Sequence, residues 1–217
     1  MIKKALSTIL RKTDAGSRLL TVRSLAENGY LKDKGWIASV ISSLPVDASG
    51  QPLPWYTYGA IDFLAGRVTE GMRVFEYGSG NSTLWWSRQT RHVVSCEHDK
   101  SWYDLMKGKV PPNVDYMLIE LDRDGRYANA VAAQRDPFDV IVIDGRDRVK
   151  CAEASLAALK PDGVIVWDNS DRPDYDAGYR FLLENGFKRL DFWGMGPINA
   201  YGWCTSVFYR PQNCFEI

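Results

Sequence analysis

The chain has 217 residues, and its 27 lysines and arginines balance 27 aspartates and glutamates to a formal charge of zero. This length fits one domain with at most a short extension. A composition of 45% hydrophobic and 25% charged residues excludes an intrinsically disordered protein. The neutral total argues against a dedicated nucleic-acid-binding protein, which would carry a basic excess.

Four widely spaced cysteines form no Cys-x-x-Cys pair, so neither a zinc ribbon nor a disulfide framework is indicated. No apolar run reaches the roughly 18 residues of a membrane span. Lysine and arginine recur as far as Arg23, so a secretory signal is not expected either. These features together predict a cytoplasmic protein, and nothing in the sequence indicates its oligomeric state.

The first 35 residues carry eight basic and three acidic residues, an excess of five positive charges. Helical spacing places five apolar residues on one face, namely Ile2, Ala5, Leu6, Ile9 and Leu10. Such a helix either packs on its own fold or binds an acidic partner or membrane surface.

Residues 44–56 contain three prolines and a glycine, which is typical of a linker with turns. The linker leads into an aromatic cluster, Trp55, Tyr56 and Tyr58, and then into a helix expected from Gly59 to Val68. We therefore assign residues 1–58 to a helical extension with a proline-rich linker, and residues 59–217 to the main domain.

From residue 70 onward, apolar strands alternate with helices, which predicts a doubly wound α/β sheet. The expected strands are Arg73–Tyr77, His92–Glu97, Asp115–Leu121, Asp139–Asp144, Gly163–Asp168, Phe187–Trp193 and Thr205–Tyr209. The expected helices are Ser82–Arg88, Ser101–Lys107, Arg126–Ala133, Val149–Leu159 and Asp176–Asn185. No helix separates the last two strands, so we expect seven mostly parallel strands with an antiparallel final strand.

The strongest local motif runs from Val74 to Thr83, where a strand enters a Gly-Ser-Gly turn and then a helix. Glycines at Gly78 and Gly80 let the backbone approach a ligand closely, and the helix start offers free N–H groups. Thr83 replaces the third glycine of a dinucleotide fingerprint. This motif therefore predicts a nucleotide-type ligand without a pyrophosphate.

Two carboxylates refine that prediction. Glu76 stands beside the turn, where it would repel phosphate but suit a cationic amino-acid group. Glu97 ends the next strand, where a carboxylate can bind ribose hydroxyls. An adenosine that carries an amino acid fits both residues.

At this point residues 70–210 resemble the class I S-adenosylmethionine-dependent methyltransferases, which have a Rossmann-like fold. The string from Glu76 to Trp86 resembles small bacterial methyltransferases and the loop of plant glucuronoxylan O-methyltransferases. The resemblance implies that residues 59–217 form the S-adenosylmethionine-binding catalytic domain. It also suggests cofactor contacts at Glu76, Tyr77, Gly78, Ser79, Gly80, Asn81, Ser82, Thr83, Glu97, His98 and Asp122. Plain helix capping by residues 81–83 and a solvated loop at Asp122 are the alternatives.

Two further buried strands end in Asp144 and in the pair Asp168-Asn169. These three residues resemble the magnesium site of catechol O-methyltransferase, where the ion polarises the acceptor hydroxyl. That family's lysine base has no counterpart here, because Arg146, Asp147 and Arg148 follow Asp144. Magnesium binding, metal-free catalysis by Asp144 as general base, and structural capping therefore remain open.

The acceptor site is less defined. Arg146, Arg148 and Arg172 are candidates for binding an anionic group of the acceptor, with salt bridges to nearby aspartates as the alternative. Trp167 is a candidate aromatic wall for a sugar or planar acceptor.

These features favour S-adenosylmethionine-dependent O-methylation of a saccharide or other small hydroxylated acceptor. An NAD-dependent oxidoreductase using Tyr103 and Lys107, and a non-catalytic cofactor-binding module, are the alternatives.

Overall fold

The computed structural model describes residues 13–217, so the helix expected within residues 2–10 lies outside the described residues. The strands are β1 (Arg73–Tyr77), β2 (His92–Glu97), β3 (Val114–Leu118), β4 (Phe138–Ile143), β5 (Leu159–Asp168), β6 (Lys188–Gly194) and β7 (Trp203–Tyr209). The helices of the extension are α1 (Asp14–Asn28), α2 (Tyr30–Asp33) and α3 (Trp36–Ser42). Those of the main domain are α4 (Tyr58–Ala65), α5 (Asn81–Gln89), α6 (Lys100–Met106), α7 (Arg126–Asn129), α8 (Arg148–Ser155) and α9 (Asp176–Glu184).

All seven strands form one sheet in the order β3-β2-β1-β4-β5-β7-β6. Strands β1 to β5 pair in parallel, and β7 is antiparallel to both β5 and β6. The predicted fold class is therefore confirmed, including the antiparallel last strand and the helical N-terminal extension. None of the helices within residues 13–217 has the length and apolar character that crossing a membrane requires.

Strand order reverses between β1 and β4, the neighbours at the centre of the sheet. In open parallel sheets, ligands bind beyond the carboxyl ends of the strands at such a switch point. The carboxyl edge at β1, β2, β4 and β5 is therefore the expected place for a site.

Side-chain alternation divides each central strand between two cores. In β1, Val74 packs with α4 and α5 on one face of the sheet, whereas Phe75 and Tyr77 pack with α7 to α9 on the other. Glu76 shares its face with Val74, because residues two apart in a strand point the same way. The face covered by α4 and α5, called here the α5 face, is the one that carries the candidate site.

Some predicted boundaries differ from the structure. The fifth strand begins at Leu159 instead of Gly163, because Leu159 pairs with Phe138 before a register shift between Phe138 and Val140. The preceding helix correspondingly ends at Ser155. At the sheet edge, β3 ends at Leu118 and the chain continues as a loop into α7.

The extension is joined to the main domain by polar contacts. Lys34 forms an ion pair with Asp62 of α4, and the Trp36 indole donates a hydrogen bond to the carbonyl of Asn199 at 2.9 Å. Leu19, Val22 and Leu25 of α1 remain exposed. Within the described residues, the extension therefore contacts the main domain from residue 30 onward, including through the Tyr30 ring against Tyr58.

Candidate functional site

The glycine turn after β1 lies directly against the loop after β4. Gly78 has a φ of +93°, and a Cβ there would come within 3.2 Å of the Gly145 backbone. A Cβ on Gly145 would lie 2.0 Å from the Tyr127 hydroxyl and 3.0 Å from the Gly78 nitrogen. Both positions therefore require glycine, one for its backbone conformation and both for close approach.

Glu76 is fully buried just below this turn. Its Oε2 accepts hydrogen bonds from the hydroxyls of Thr83, at 2.5 Å, and Ser95, at 3.2 Å. Burial raises the pKa of Glu76 to about 7, while the hydroxyls of Ser82, Thr83 and Ser95 oppose the rise. None of the described residues makes a well-formed hydrogen bond to Oε1. A buried carboxylate oxygen without a partner is costly, so this atom suits a ligand that donates a hydrogen bond.

Glu97, at the end of β2, is held rigidly. Its Oε1 accepts from the backbone nitrogens of His98, at 2.8 Å, and Asp99, at 2.9 Å. Its Oε2 accepts from the Ser79 hydroxyl at 2.7 Å. Each carboxylate oxygen has capacity for more than one hydrogen bond. The turn and the β2 end therefore form one hydrogen-bonded unit in which Glu97 is fixed in orientation.

The other predicted cofactor residues contact the turn itself or neighbouring loops. The Thr83 hydroxyl accepts from the Gly80 nitrogen at 3.1 Å, and Asn81 donates to the Pro45 carbonyl at 2.6 Å. His98 lies beside Glu97, with Nδ1 2.9 Å from Oε1. Asp122 pairs with Arg126 in the loop after β3, an arrangement in which Arg126 lowers the pKa of Asp122.

The Tyr77 side chain lies away from the glycine turn, so the predicted cofactor contact of Tyr77 is compatible with the structure only through its backbone. Tyr77 points to the face opposite Glu76, where it is fully buried and its hydroxyl donates to the Ala128 carbonyl at 2.6 Å. Strand alternation imposes this direction, because adjacent residues of β1 face opposite sides of the sheet.

Strand register brings Asp144 and Asp168 side by side. Ile143 pairs with Trp167 across β4 and β5, so the next residues are Asp144 and Asp168. The Asp144 nitrogen extends the ladder by donating to the Tyr77 carbonyl at 3.1 Å. Because Glu76 pairs with Val142, all three acids share the α5 face, on neighbouring strands about 5 Å apart.

Both aspartates are anchored through their Oδ1 atoms. Asp168 Oδ1 accepts from the Trp203 indole at 2.9 Å and the Thr205 hydroxyl at 2.6 Å. Burial and the charge of Asp144 raise the pKa of Asp168 to about 7. Burial also raises the pKa of Asp144, to about 6, against the opposing charge of Arg148.

Arg148 connects the loops that carry these aspartates. Its buried guanidinium donates to the carbonyls of Gly145, Asp144 and Asp168, and it forms an ion pair with Asp144 Oδ1 at 3.1 Å. The hypothesis that Arg148 binds the acceptor is therefore corrected, because its donors hold the protein backbone and its ion partner is Asp144.

A cavity of about 580 Å³ opens beside the two aspartates. Two further candidate residues, Asn169 and Arg172, line it, and Arg172 is exposed there. Further lining side chains are Trp55, Asp171, Asn199, Tyr201 and Trp203. Arg146 is exposed, but it is not among the residues that line the cavity.

Trp167 is corrected as an acceptor wall. It is fully buried on the opposite face, packed against Tyr175, Tyr179 and Phe208. The aromatic side chains that line the cavity are Trp55, Tyr201 and Trp203. Trp203 lies next to Asp168 because β7 pairs antiparallel with β5, with Thr205 opposite Asp168.

Within residues 13–217, no three His, Cys, Asp or Glu side chains are grouped so that they could hold a metal ion. The predicted magnesium ligands, Asp144, Asp168 and the Asn169 amide, all line the cavity, and their oxygens are of the chemical type that magnesium prefers. Only two of these three residues are carboxylates, and one of the two, Asp144, is already paired with Arg148.

Comparison with known proteins identifies the fold. No protein-family model matches the chain, and no curated protein matches its sequence. A methyltransferase-like protein from Silicibacter pomeroyi is 21% identical, with a TM-score of 0.51 over 73% of this chain and 89% of its own.

Two further solved structures are similar. Precorrin-6y C5,15-methyltransferase from Geobacter metallireducens has a TM-score of 0.52 and 16% identity, covering 69% of this chain and 86% of its own. A methyltransferase from Pyrococcus furiosus has a TM-score of 0.51 and 16% identity, covering 82% and 94%. At these identities, the similarity establishes a shared Rossmann-like methyltransferase fold.

Proposed function

We propose that the protein is an S-adenosylmethionine-dependent methyltransferase that acts on a small hydroxylated acceptor, with a saccharide as the favoured class. One observation carries this proposal: Glu76, Asp144 and Asp168 stand on one face of three adjacent strands, beside the Gly78–Gly80 turn. Solved structures of the same fold that are named as methyltransferases support it.

The cofactor half of the site fits the chemistry of S-adenosylmethionine. When bound, this cofactor supplies a methyl group on a positively charged sulfur. The unpartnered Oε1 of Glu76 suits its ammonium group, and Glu97 suits its ribose hydroxyls. A row of acidic groups also favours a cationic ligand over a phosphate-bearing one.

The acceptor half has a group able to remove a proton. A pKa of about 7 lets Asp168 accept the proton of a bound hydroxyl near neutral pH. Trp203 and Thr205 fix Asp168 Oδ1, and the hydrogen bonds recorded for the described residues leave Oδ2 available. A magnesium ion held by Asp144, Asp168 and Asn169 would instead polarise that hydroxyl; metal dependence distinguishes the two routes.

The aromatic and polar character of the cavity supports a hydroxylated acceptor. Trp55, Tyr201 and Trp203 provide apolar faces, and the carboxylates opposite them accept hydrogen bonds. This combination suits a ring with several hydroxyl groups.

The oxidoreductase alternative loses its proposed catalytic pair. Tyr103 stacks on Tyr116, with ring centroids 4.6 Å apart, and Lys107 forms an ion pair with Asp104. Tyr103 lies in α6 and Lys107 directly follows it, and neither residue lines the cavity. Glu76 would also repel a pyrophosphate. The non-catalytic alternative is tested by turnover.

The test begins with thermal stabilisation by S-adenosylhomocysteine, NAD and NADP, each with and without Mg²⁺. We expect stabilisation by S-adenosylhomocysteine; stabilisation by NAD or NADP alone would contradict the proposal. Methyl transfer to a panel of saccharides, phenols and hydroxy acids then follows. Cofactor binding without turnover of any acceptor would favour a binding module, and loss of turnover with a chelator would favour the magnesium route.

A further inference from the structure

The proline-rich segment 44–58 crosses the carboxyl edge of the sheet and is bonded at both ends. At one end, the Pro45 carbonyl accepts from Asn81, the residue that follows the glycine turn, at 2.6 Å. At the other end, the Thr57 nitrogen donates to the Thr205 hydroxyl at 3.1 Å. That same Thr205 hydroxyl donates to Asp168. The segment therefore connects the cofactor half of the site to the acceptor half.

Tyr56, like its neighbour Thr57, is fully buried. Its hydroxyl oxygen lies 3.5 Å from the Trp86 indole nitrogen, which donates to it. Among the described residues, no acceptor is recorded for the hydroxyl proton of Tyr56. A buried hydroxyl normally donates as well as accepts, so this proton needs a partner that the chain itself does not provide.

The surroundings of Tyr56 place it on the α5 face with the three acids. It belongs to the same core as Val74, Val142 and Val166, the residues that precede Glu76, Asp144 and Asp168 on that face by two positions. Burial, then the charges of Glu76 and Asp144, raise the pKa of Tyr56 well above its usual value. The hydroxyl therefore remains a protonated donor at neutral pH.

The side chains of Trp55 and Tyr56 lie in different parts of the site. Trp55 is partly exposed and lines the acceptor cavity, whereas Tyr56 is not among the residues that line it. The chain bends at these two residues, and their side chains have different surroundings. Glu76, whose Oε1 is an unpaired acceptor, is the acid whose charge acts most strongly on the Tyr56 hydroxyl.

We propose that Tyr56 is a cofactor-binding residue whose hydroxyl donates a hydrogen bond to the carboxylate at the amino-acid end of S-adenosylmethionine. This inference rests on the proposed function. An amino-acid group presents one cation and one anion, and the site offers one buried acceptor and one buried donor. Glu76 Oε1 takes the ammonium and Tyr56 takes the carboxylate, so the two unpaired groups are satisfied by a single ligand.

The test uses the full chain and two ligands in calorimetry. S-adenosylhomocysteine carries both charged groups, and its decarboxylated analogue keeps the amine but lacks the carboxylate. We expect Tyr56→Phe to weaken binding of S-adenosylhomocysteine by about 10- to 100-fold, the range for a hydrogen bond to a charged group. Binding of the decarboxylated analogue should be unchanged.

Tyr58→Phe is the matched control. Tyr58 is two residues away, and its buried hydroxyl also has no hydrogen-bond partner among the described residues. Its ring, however, packs edge-on against Tyr30 of the extension. We expect Tyr58→Phe to bind both ligands as the wild type does.

Three outcomes would overturn the proposal. If Tyr56→Phe and the wild type bind S-adenosylhomocysteine equally well, the Tyr56 hydroxyl makes no hydrogen bond to the ligand. An equal loss for both ligands would place Tyr56 away from the carboxylate. A wild type that binds the two ligands equally well would exclude carboxylate recognition, even where Tyr56→Phe does not fold. If the wild type binds neither ligand, the proposed function itself fails, which distinguishes that failure from the first three.

Discussion

The two halves of the site hold their carboxylates in different ways. Glu97, on the cofactor side, is fixed by its immediate neighbours His98 and Asp99 and by Ser79 of the adjacent turn. Asp168, on the acceptor side, is fixed by Trp203 and Thr205, which are 35 and 37 residues away along the chain. The cofactor half is thus built from local loops, whereas the acceptor half depends on the pairing of β7 with β5.

The difference extends to electrostatics. The acids of the acceptor half sit on adjacent strands, and the charge of Asp144 contributes to the raised pKa of Asp168. Arg148 opposes the rise in the pKa of Asp144 and ties both loops together. We infer that the acceptor half is arranged for proton transfer and the cofactor half for binding, and this contrast can be tested by removing one group at a time.

The largest effect is expected for Asp168→Asn. Asparagine keeps the shape and the Oδ1 acceptor for Trp203 and Thr205 but cannot take a proton at neutral pH. Methyl transfer should fall by about 10²- to 10⁴-fold, the usual contribution of a general base, while affinity for S-adenosylhomocysteine should not change. Asp171→Asn is the control, since Asp171 also lines the cavity but, in the described structure, accepts a hydrogen bond only from the Cys204 nitrogen. An equal loss of methyl transfer in the two variants would contradict the role of Asp168 as general base.

Glu76→Gln tests the cofactor half of the site. The amide can still accept from Thr83, but the neutral side chain no longer pairs with an ammonium group. We expect affinity for S-adenosylhomocysteine to fall by about 10- to 100-fold, as for the loss of a charge-assisted hydrogen bond. Calorimetry measures this, with the exposed Glu70→Gln as control. Unchanged affinity would contradict the assignment of Glu76 to the cofactor.

Gly145→Ala tests the contact that joins the two halves. Its Cβ would lie 2.0 Å from the Tyr127 hydroxyl, so the loop or the ring must move. We expect a loss of about 1–3 kcal/mol in the free energy of unfolding, which is the usual cost of overpacking. Urea denaturation measures it.

Tyr127→Phe supplies the matched background, because the buried Tyr127 hydroxyl has no hydrogen-bond partner among the described residues. Adding Tyr127→Phe should recover part of the stability that Gly145→Ala loses. An alanine variant as stable as the wild type would show that the loops after β1 and β4 do not need this close approach.

The contrast between the halves also explains what the sequence could predict. Residues Glu76 to Thr83 and Glu97 form a local pattern, so the motif located the turn and its acids without any knowledge of tertiary contacts. Strand endings likewise predicted Asp144 and Asp168. Strand alternation, which a motif does not include, sends the side chains of Tyr77 and Trp167 to the opposite core, away from the glycine turn and the acceptor cavity.

Long-range contacts account for the remaining errors and omissions. Arg148 is a candidate acceptor-binding residue in the sequence because its carbonyl partners belong to two different loops, which local sequence does not bring together. Trp203 and Tyr56 reach the site through long-range contacts that no local pattern encodes. Trp203 is placed by the pairing of β5 with β7, and Tyr56 by the hydrogen bond of its neighbour Thr57 to Thr205.

The smallest expected effect is a pH dependence that separates binding from stability. The pKa of Glu76 is raised from its ordinary value of 4.5 to about 7, so between these values the folded state binds more protons than the unfolded state. The contribution of Glu76 to the free energy of unfolding of the ligand-free protein therefore falls as pH rises from about 4.5 to 7, and levels off above pH 7.

The affinity for the cofactor changes in the opposite direction. Binding of the ammonium group requires ionised Glu76, so the affinity rises as pH rises. One group with a pKa near 7 gives about a tenfold gain in affinity for S-adenosylhomocysteine between pH 6 and pH 8. Calorimetry at several pH values measures the gain, and Glu76→Gln is the control in which it should disappear; the same pH dependence in that variant would assign the titration to another group.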